Sequence, residues 1–253
     1  MRVEIIKCLS DNYSYLVIDE KNNSCCVIDP SESKPIIEFL SKNKINLKFI
    51  LNTHHHQDHI GGNIELKKLY GSKVIGFYND RKRIPGLDIG LRDRDIWQEL
   101  NFKARILHTP GHTSGHICFN FFDQKLLFCG DTLFSLGCGR IFEGTYTEMF
   151  NSLKLIKSLP IETKIYCGHE YTKNNFDFCI SLDDKNDILK KKLNFINTKL
   201  NNSLPTIPSS LKEELETNIF LRCNNSYLKK KLGLSEATDE EIFKKLRDLK
   251  DSF

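Results

Sequence analysis

The chain is expected to form a layered α/β domain with mixed sheets, followed by an all-helical region. Three observations carry this expectation. From Met1 to about His169, short runs rich in β-branched and aromatic residues recur, punctuated by Gly, Asn, Asp and Pro. Intervals between these runs carry helical spacing, so strands are joined partly by hairpins and partly by helices. After Tyr171 the strand-like runs stop.

In order, the strand-like runs are Val3 to Lys7, Tyr13 to Ile18, Cys25 to Asp29, Lys48 to Leu51, Lys73 to Phe77, Ala104 to Leu107, His116 to Phe122, Leu126 to Cys129 and Lys164 to Cys167. Helical spacing covers Lys34 to Lys42, Ile64 to Tyr70 and Asn151 to Leu159. Further on, Ile188/Leu189, Leu193, Ile196 and Leu200 form one apolar stripe, which a helix would bury. A break at 204–208 precedes a short helix over Ser209 to Glu216. Thr238 and Glu241 have capping-box spacing, and Ile242, Leu246, Leu249 and Phe253 continue on one face. The division expected is 1–171 for the layered α/β domain and 172–253 for the α-helical domain.

At 253 residues, with 37 Lys+Arg against 33 Asp+Glu, the chain can bury a sizeable core without disulfide staples. The formal charge of +4 is spread along it, which disfavours nucleic acid as a partner and suits an anionic small molecule. No window reaches the length of a membrane span and the first residues lack a signal-peptide pattern, so the expected address is cytoplasmic, without membrane association. The oligomeric state is not fixed by these features, and a monomer is slightly favoured. Nine cysteines, odd in number and without C-x-x-C spacing, read as reduced structural thiols.

The chemistry concentrates at residues 53 to 59, Thr-His-His-His-Gln-Asp-His, directly after the apolar run Phe49 to Leu51. In an extended segment His54 and His56 share a side while His55 points away, and Asp58 with His59 begin a turn. Four candidate ligands thus fall within six residues. His112, Asp131 and His169 each follow another strand-like run, so strands ending on one edge would bring their loops together. Singly, such residues in Gly-rich turns are more often caps than ligands; the set of five His and two Asp suits two metals sharing a carboxylate. One set is His54, His56 and His112, the other Asp58, His59 and His169, with Asp131 bridging. A hydroxide held between two such ions implies hydrolysis. His55, His108 and His116 are excluded from the ligands.

The pattern His54-x-His56-x-Asp58-His59 with His112, Asp131 and His169 resembles the metallo-β-lactamase superfamily. That resemblance implies a four-layer αβ/βα sandwich with metals at one edge, and it does not fix the substrate. A narrower resemblance, over nearly the whole chain, is to glyoxalase II, the hydroxyacylglutathione hydrolases. It rests on 53–62, on Gly130-Asp-Thr-Leu-Phe134 with Gly137-Cys-Gly-Arg140, and on Cys167-Gly-His-Glu-Tyr-Thr172. Pro208-Ser-Ser-Leu211 with Glu214, Asn218-x-Phe-x-Arg222, and Arg247-x-x-Lys250-Asp-x-Phe253 extend it through the helical region.

The resemblance implies hydrolysis of S-D-lactoylglutathione to D-lactate and glutathione, the second step of methylglyoxal detoxification. The bridging hydroxide, oriented by Asp58 and Asp131, would be the nucleophile, and the two ions would be zinc, with iron or manganese as alternatives. Arg140, Tyr171, Arg247 and Lys250 would hold the glutathione moiety, the two cations of the last segment being i and i+3 on a helix. Two departures bear on affinity: Arg140 stands where the family commonly has Lys, and Phe142 where many members have Tyr. The main rival, a mononuclear-iron glutathione persulfide dioxygenase of the same superfamily, is opposed by Asp58, His169 and the helical extension.

Overall fold

The computed structural model describes residues 1–253. The chain folds into two compact units, Met1–His108 with Gly115–Gly130, and Thr109–Ser114 with Asp131–Phe253.

The first unit begins with β1 (Arg2–Cys8), β2 (Asn12–Asp19) and β3 (Ser24–Ile28), an antiparallel meander. Helix α1 (Lys34–Asn43) then carries the chain to β4 (Asn46–Leu51), parallel to β3. One turn, α2 (Gln57–Ile60), and α3 (Asn63–Tyr70) lead to β5 (Lys73–Phe77), and β6 (Leu87–Leu91) completes a six-stranded sheet in sequence order. Crossover helices on parallel strands explain why β3 is buried along its whole length and β4 from Phe49 to Leu51. Leu16, Ile18, Val27 and Ile50 face one way, against Ile36 and Leu40 of α1 and Leu66 of α3.

The opposite face meets a second antiparallel run, β7 (Ile96–Glu99), β8 (Phe102–His108), β9 (Ile117–Phe121) and β10 (Leu126–Gly130). Tyr15 packs on Phe128 at 5.4 Å between ring centres, and Phe49 meets Trp97 edge-on at 5.2 Å. Phe49 and Ile50 are neighbours in β4 serving opposite faces, as a strand's period of two requires.

In the second unit a two-strand hairpin, β11 (Leu133–Phe134) and β12 (Gly137–Cys138), is followed by α4 (Tyr146–Lys157). Then come β13 (Lys164–Cys167), α5 (Thr172–Leu182), α6 (Asp187–Asn201), β14 (Ser209–Ser210), α7 (Leu211–Thr217), α8 (Ser226–Lys231) and α9 (Asp239–Asp251). Capping boxes at Thr145/Glu148, Ser210/Glu213 and Thr238/Glu241 start α4, α7 and α9. The buried carboxylate of Glu214 accepts from Leu136 N (2.8 Å) and Asn218 Nδ2 (3.1 Å). Asn218 also donates to Gly137 O at 3.0 Å, so α7 fixes the hairpin that leads from Asp131 to Arg140.

Helix α4 starts at Tyr146 rather than near Asn151, because the Thr145 cap opens it a turn earlier than its apolar spacing. Strands β6, β7, β11 and β12 and helices α5 and α8 lie outside the runs read from the sequence, and the helix expected from Ser209 starts at Leu211, its first two residues forming β14. β6 carries an internal Gly90, and β11, β12 and β14 are two residues each, too short for periodicity to register.

Candidate metal centre

Strand β4 ends at Leu51 and hands the chain to a loop held at both ends. Asn52 donates to His59 O (3.1 Å), and its side chain is paired reciprocally with Asn63 at the start of α3. At Gly61 the loop lies so close to the neighbouring backbone that an added Cβ would sit 2.3 Å from Ser31 O. Between these fixings lie His54, His56, Asp58 and His59, with ring centres of His54 4.7 Å from His56 and 4.2 Å from His59.

A single buried carboxylate organises this segment. Asp29, 2% exposed at the end of β3, accepts from Thr53 N (2.7 Å), Thr53 Oγ1 (2.6 Å) and His59 Nδ1 (3.1 Å). Thr53 has spent its hydroxyl proton on Asp29, so at 3.0 Å its oxygen accepts from His54 Nδ1. In the neutral ring, the form that binds metal, both histidines therefore carry their proton on Nδ1 and present Nε2 as a lone pair. Asp29, His54 and His59 lie close enough to form a ligand group by distance, but the Asp29 oxygens are already committed to three donors. Asp58 is held by Asn12, which donates to Oδ2 at 2.9 Å, and His59 Nε2 lies 3.5 Å from the same oxygen.

The second unit repeats the logic. His112 Nδ1 donates to Arg140 O at 2.8 Å, leaving Nε2 as the acceptor, 3.5 Å from Asp131 Oδ2. His169 Nε2 is 3.3 Å from that same oxygen, and its ring stacks on Tyr171 at 4.7 Å and 5°. The backbone after the hairpin is pressed against Asp131, since a Cβ on Gly139 would fall 1.9 Å from Asp131 O.

These distances test whether the donors suit a metal. Two ligand bonds of about 2.0–2.1 Å meeting at a near-tetrahedral angle place their donor atoms about 3.3 Å apart. The carboxylate–imidazole separations of 3.3 to 3.5 Å match. In the neutral pairs a lone pair faces a carboxylate oxygen, which is repulsive unless a cation or proton lies between. The donor set fits divalent metal ions.

Every ligand read from the sequence falls in one of these two clusters, His54, His56, Asp58 and His59 in the first unit and His112, Asp131 and His169 in the second. The excluded histidines have other surroundings. His55 Nδ1 is 3.6 Å from buried Asp80 Oδ2, His116 stacks on His54 at 4.9 Å, and His108 stacks on Phe77 at 4.6 Å. Sequence reasoning passed over Asp29, Thr53, Asn12, Asn52 and Asn63. Asp29 offered one signal, since it too ends a strand-like run, as Asp131 does.

The residues assigned to glutathione lie in the second unit. Tyr171 and Arg140 are exposed. Arg247 is only 3% exposed, donating to Cys138 O and Asp251 Oδ1, both at 2.8 Å, with its guanidinium over Phe220. Lys250 lies over Phe178 and Phe253 and donates to Asn174 O at 3.2 Å. Burial, with the charges of Arg247 and Arg140 nearby, lowers its amine to about 8. Phe142 is 64% exposed, its ring 5.1 Å from His112.

Comparison with known proteins places this arrangement. Residues 10–169 match the metallo-β-lactamase superfamily model and residues 170–253 match the model of the hydroxyacylglutathione hydrolase C-terminus. Over 253 residues, all of both chains, the sequence is 58% identical to a hydroxyacylglutathione hydrolase of Pelagibacter ubique (strain HTCC1062). This chain belongs to the hydroxyacylglutathione hydrolase family. It is also 43% identical to the hydroxyacylglutathione hydrolase of Methylococcus capsulatus, over 98% of this chain and 97% of that one. A hydroxyacylglutathione hydrolase family member with this His/Asp set is a metal-dependent hydrolase. Among solved structures, ETHE1 from Myxococcus xanthus aligns with a TM-score of 0.70 at 22% identity, covering 98% of this chain and 91% of that one. The BLEG-1 B3 metallo-β-lactamase aligns at 0.68 and 20%, covering 87% and 99%. Both share the metallo-β-lactamase fold, and in this chain a C-terminal helical region follows it.

Proposed function

We propose that this glyoxalase II family member hydrolyses S-D-lactoylglutathione and related 2-hydroxyacylglutathione thioesters to D-lactate and glutathione. The observation that carries the reading is the uniform presentation of Nε2 by His54, His59 and His112, each with Nδ1 committed to an acceptor, beside Asp58 and Asp131. Two divalent ions, zinc first, with iron or manganese as alternatives, would supply a water-derived nucleophile at neutral pH and neutralise a developing oxyanion. His54, His56 and His112 would hold one ion, and Asp58, His59 and His169 the other, with Asp131 shared.

The chain's own residues then have separable tasks. Asp58 and Asp131 orient the nucleophile, and Arg140, Tyr171, Arg247 and Lys250 hold the glutathione moiety, whose two carboxylates suit cations. The leaving group is a thiolate, weakly basic for its class, so no dedicated general acid is required of the protein. Residues 1–171 would form the catalytic domain and 172–253 the substrate-binding domain. The protein would act in the cytoplasm on a small molecule, in the second step of methylglyoxal detoxification, without nucleic acid or membrane partners, a monomer being slightly favoured over an oligomer. No helix is long and apolar enough to cross a membrane.

The test follows loss of thioester absorbance of S-D-lactoylglutathione with metal-analysed protein, beside a thioester of a small thiol lacking the glutathione carboxylates. Turnover of the glutathione substrate alone, with about two ions per chain, supports the reading. A fully loaded protein without turnover overturns it.

A further inference from the structure

The cations assigned to the glutathione carboxylates already have a carboxylate among them. Asp251, the last residue of α9, places Oδ1 2.8 Å from Arg247 Nη2 and 3.7 Å from Arg140 Nε. The Arg247 side chain is 4% exposed, whereas Asp251 is 42% exposed. One further donor of that guanidinium, Nε, is buried without a hydrogen-bond partner.

We propose that Asp251 is a displaceable internal anion, occupying between Arg140 and Arg247 the position that a substrate carboxylate takes. The inference rests on the reading of these cations as a glutathione site. Arg247 has its Nη1 on Cys138 O and its Nη2 on Asp251, so a solute carboxylate reaches this guanidinium by exchange with Asp251. The exchange is local. Asp251 sits in the final turn of its helix, where backbone carbonyls are not tied by following turns and ends fray. Its ion pair with Arg140 is long and lies between side chains exposed by 63% and 42%, so it holds the carboxylate weakly. The exchange also leaves the number of charges around Arg247 unchanged, because one carboxylate replaces another.

Such a residue determines specificity. Neutral thioesters gain nothing from the site because they cannot take the place of Asp251, while a dicarboxylate substrate can. Asp251 would thus keep the buried Arg247 compensated between turnovers, which avoids the cost of an unpaired buried guanidinium, and it would weaken substrate binding by the strength of the contact it gives up.

The experiment is calorimetric titration of metal-loaded protein with S-methylglutathione, which has no thioester to hydrolyse, and with its dicarboxyl diester. Asp251→Asn should bind S-methylglutathione at least about twofold more tightly than the natural protein, since the contact given up joins a buried guanidinium to a half-exposed carboxylate and exceeds the weakest exposed pairs. Asp251→Glu, which keeps the charge on a longer arm, should stay near the natural value, and neither change should alter diester binding. Equal or weaker binding by Asp251→Asn overturns the proposal, as does an equal gain for the diester. Absence of heat with every protein overturns both this proposal and the glutathione reading. Binding of S-methylglutathione without turnover of the lactoyl thioester counts against the hydrolase reading alone.

Discussion

Replacing Asp29 by Asn tests whether one carboxylate sets the tautomers of two ligand histidines. The side chain keeps its size, but one of its two acceptor oxygens becomes an NH2 group. If that group takes the Oδ2 position, it faces the Thr53 hydroxyl and His59 Nδ1–H, which approach Asp29 to 2.6 and 3.1 Å. If it takes the Oδ1 position, it faces Thr53 N, which approaches to 2.7 Å. At least one buried donor then lacks an acceptor, at about 1–3 kcal/mol each. With the loss of a charged partner the total is about 3–5 kcal/mol of folding stability. His59 can escape by moving its proton to Nε2, which removes it as a ligand, and Thr53 can turn its hydroxyl and release His54. Loss of an outer hydrogen-bond partner typically costs about 10–100-fold in metal affinity, and here two ligands depend on one carboxylate. Urea denaturation of the metal-free protein reads the first quantity, and competition with a chromophoric chelator reads the second. Metal affinity within twofold of the natural protein would refute the tautomer argument, whatever happens to stability.

Lys250 should make substrate affinity pH-dependent. Its amine, lowered by burial to about 8, is charged below that pH and neutral above, so KM for a glutathione thioester should rise through pH 8 while Lys250→Met removes the inflection. The unfolded chain binds the Lys250 proton up to its ordinary 10.5, so between pH 8 and 10.5 unfolding takes up a proton, and this residue's contribution to stability increases with pH. Burial pushes the thiols of Cys25, Cys179 and Cys223 up to about 12, and all nine cysteines are buried. A chromogenic disulfide reagent at pH 8 should therefore react slowly with the folded protein and with all nine thiols in denaturant. Gly139→Ala would bring a methyl group to 1.9 Å from Asp131 O. The backbone must shift, at about 1–3 kcal/mol, and elemental analysis should find fewer than the full complement of ions; full occupancy would show that Asp131 tolerates the displacement.

The candidate ligands stood out because their chemistry is written in residue types that few other environments require. His54, His56, Asp58 and His59 fall within six residues, and the remote candidates Asp131, His169 and His112 lie one, two and four residues beyond the end of a strand. Long elements were legible for a related reason, since α1, α3, α6 and α9 each present several turns of one apolar face. What escaped was whatever depends on a partner far away in sequence. Asp29 looks like any turn residue until Thr53 and His59 arrive, 24 and 30 positions later. The same holds for Arg247, read as a cation projecting beside Lys250. Its burial follows from packing against Cys138 and Phe220, which helical spacing does not contain. Helix α8 escaped because three consecutive lysines mask its one buried residue, Leu228.

The three histidines lean on three different acceptors, a carboxylate for His59, a hydroxyl for His54 and a backbone carbonyl for His112. An imidazole whose proton rests on an anion is the stronger electron donor of the three. On the proposed assignment, the position served by His59 grips its ion harder than the one served by His54 and His112. Depletion would then run in sequence, one ion leaving early and the other late.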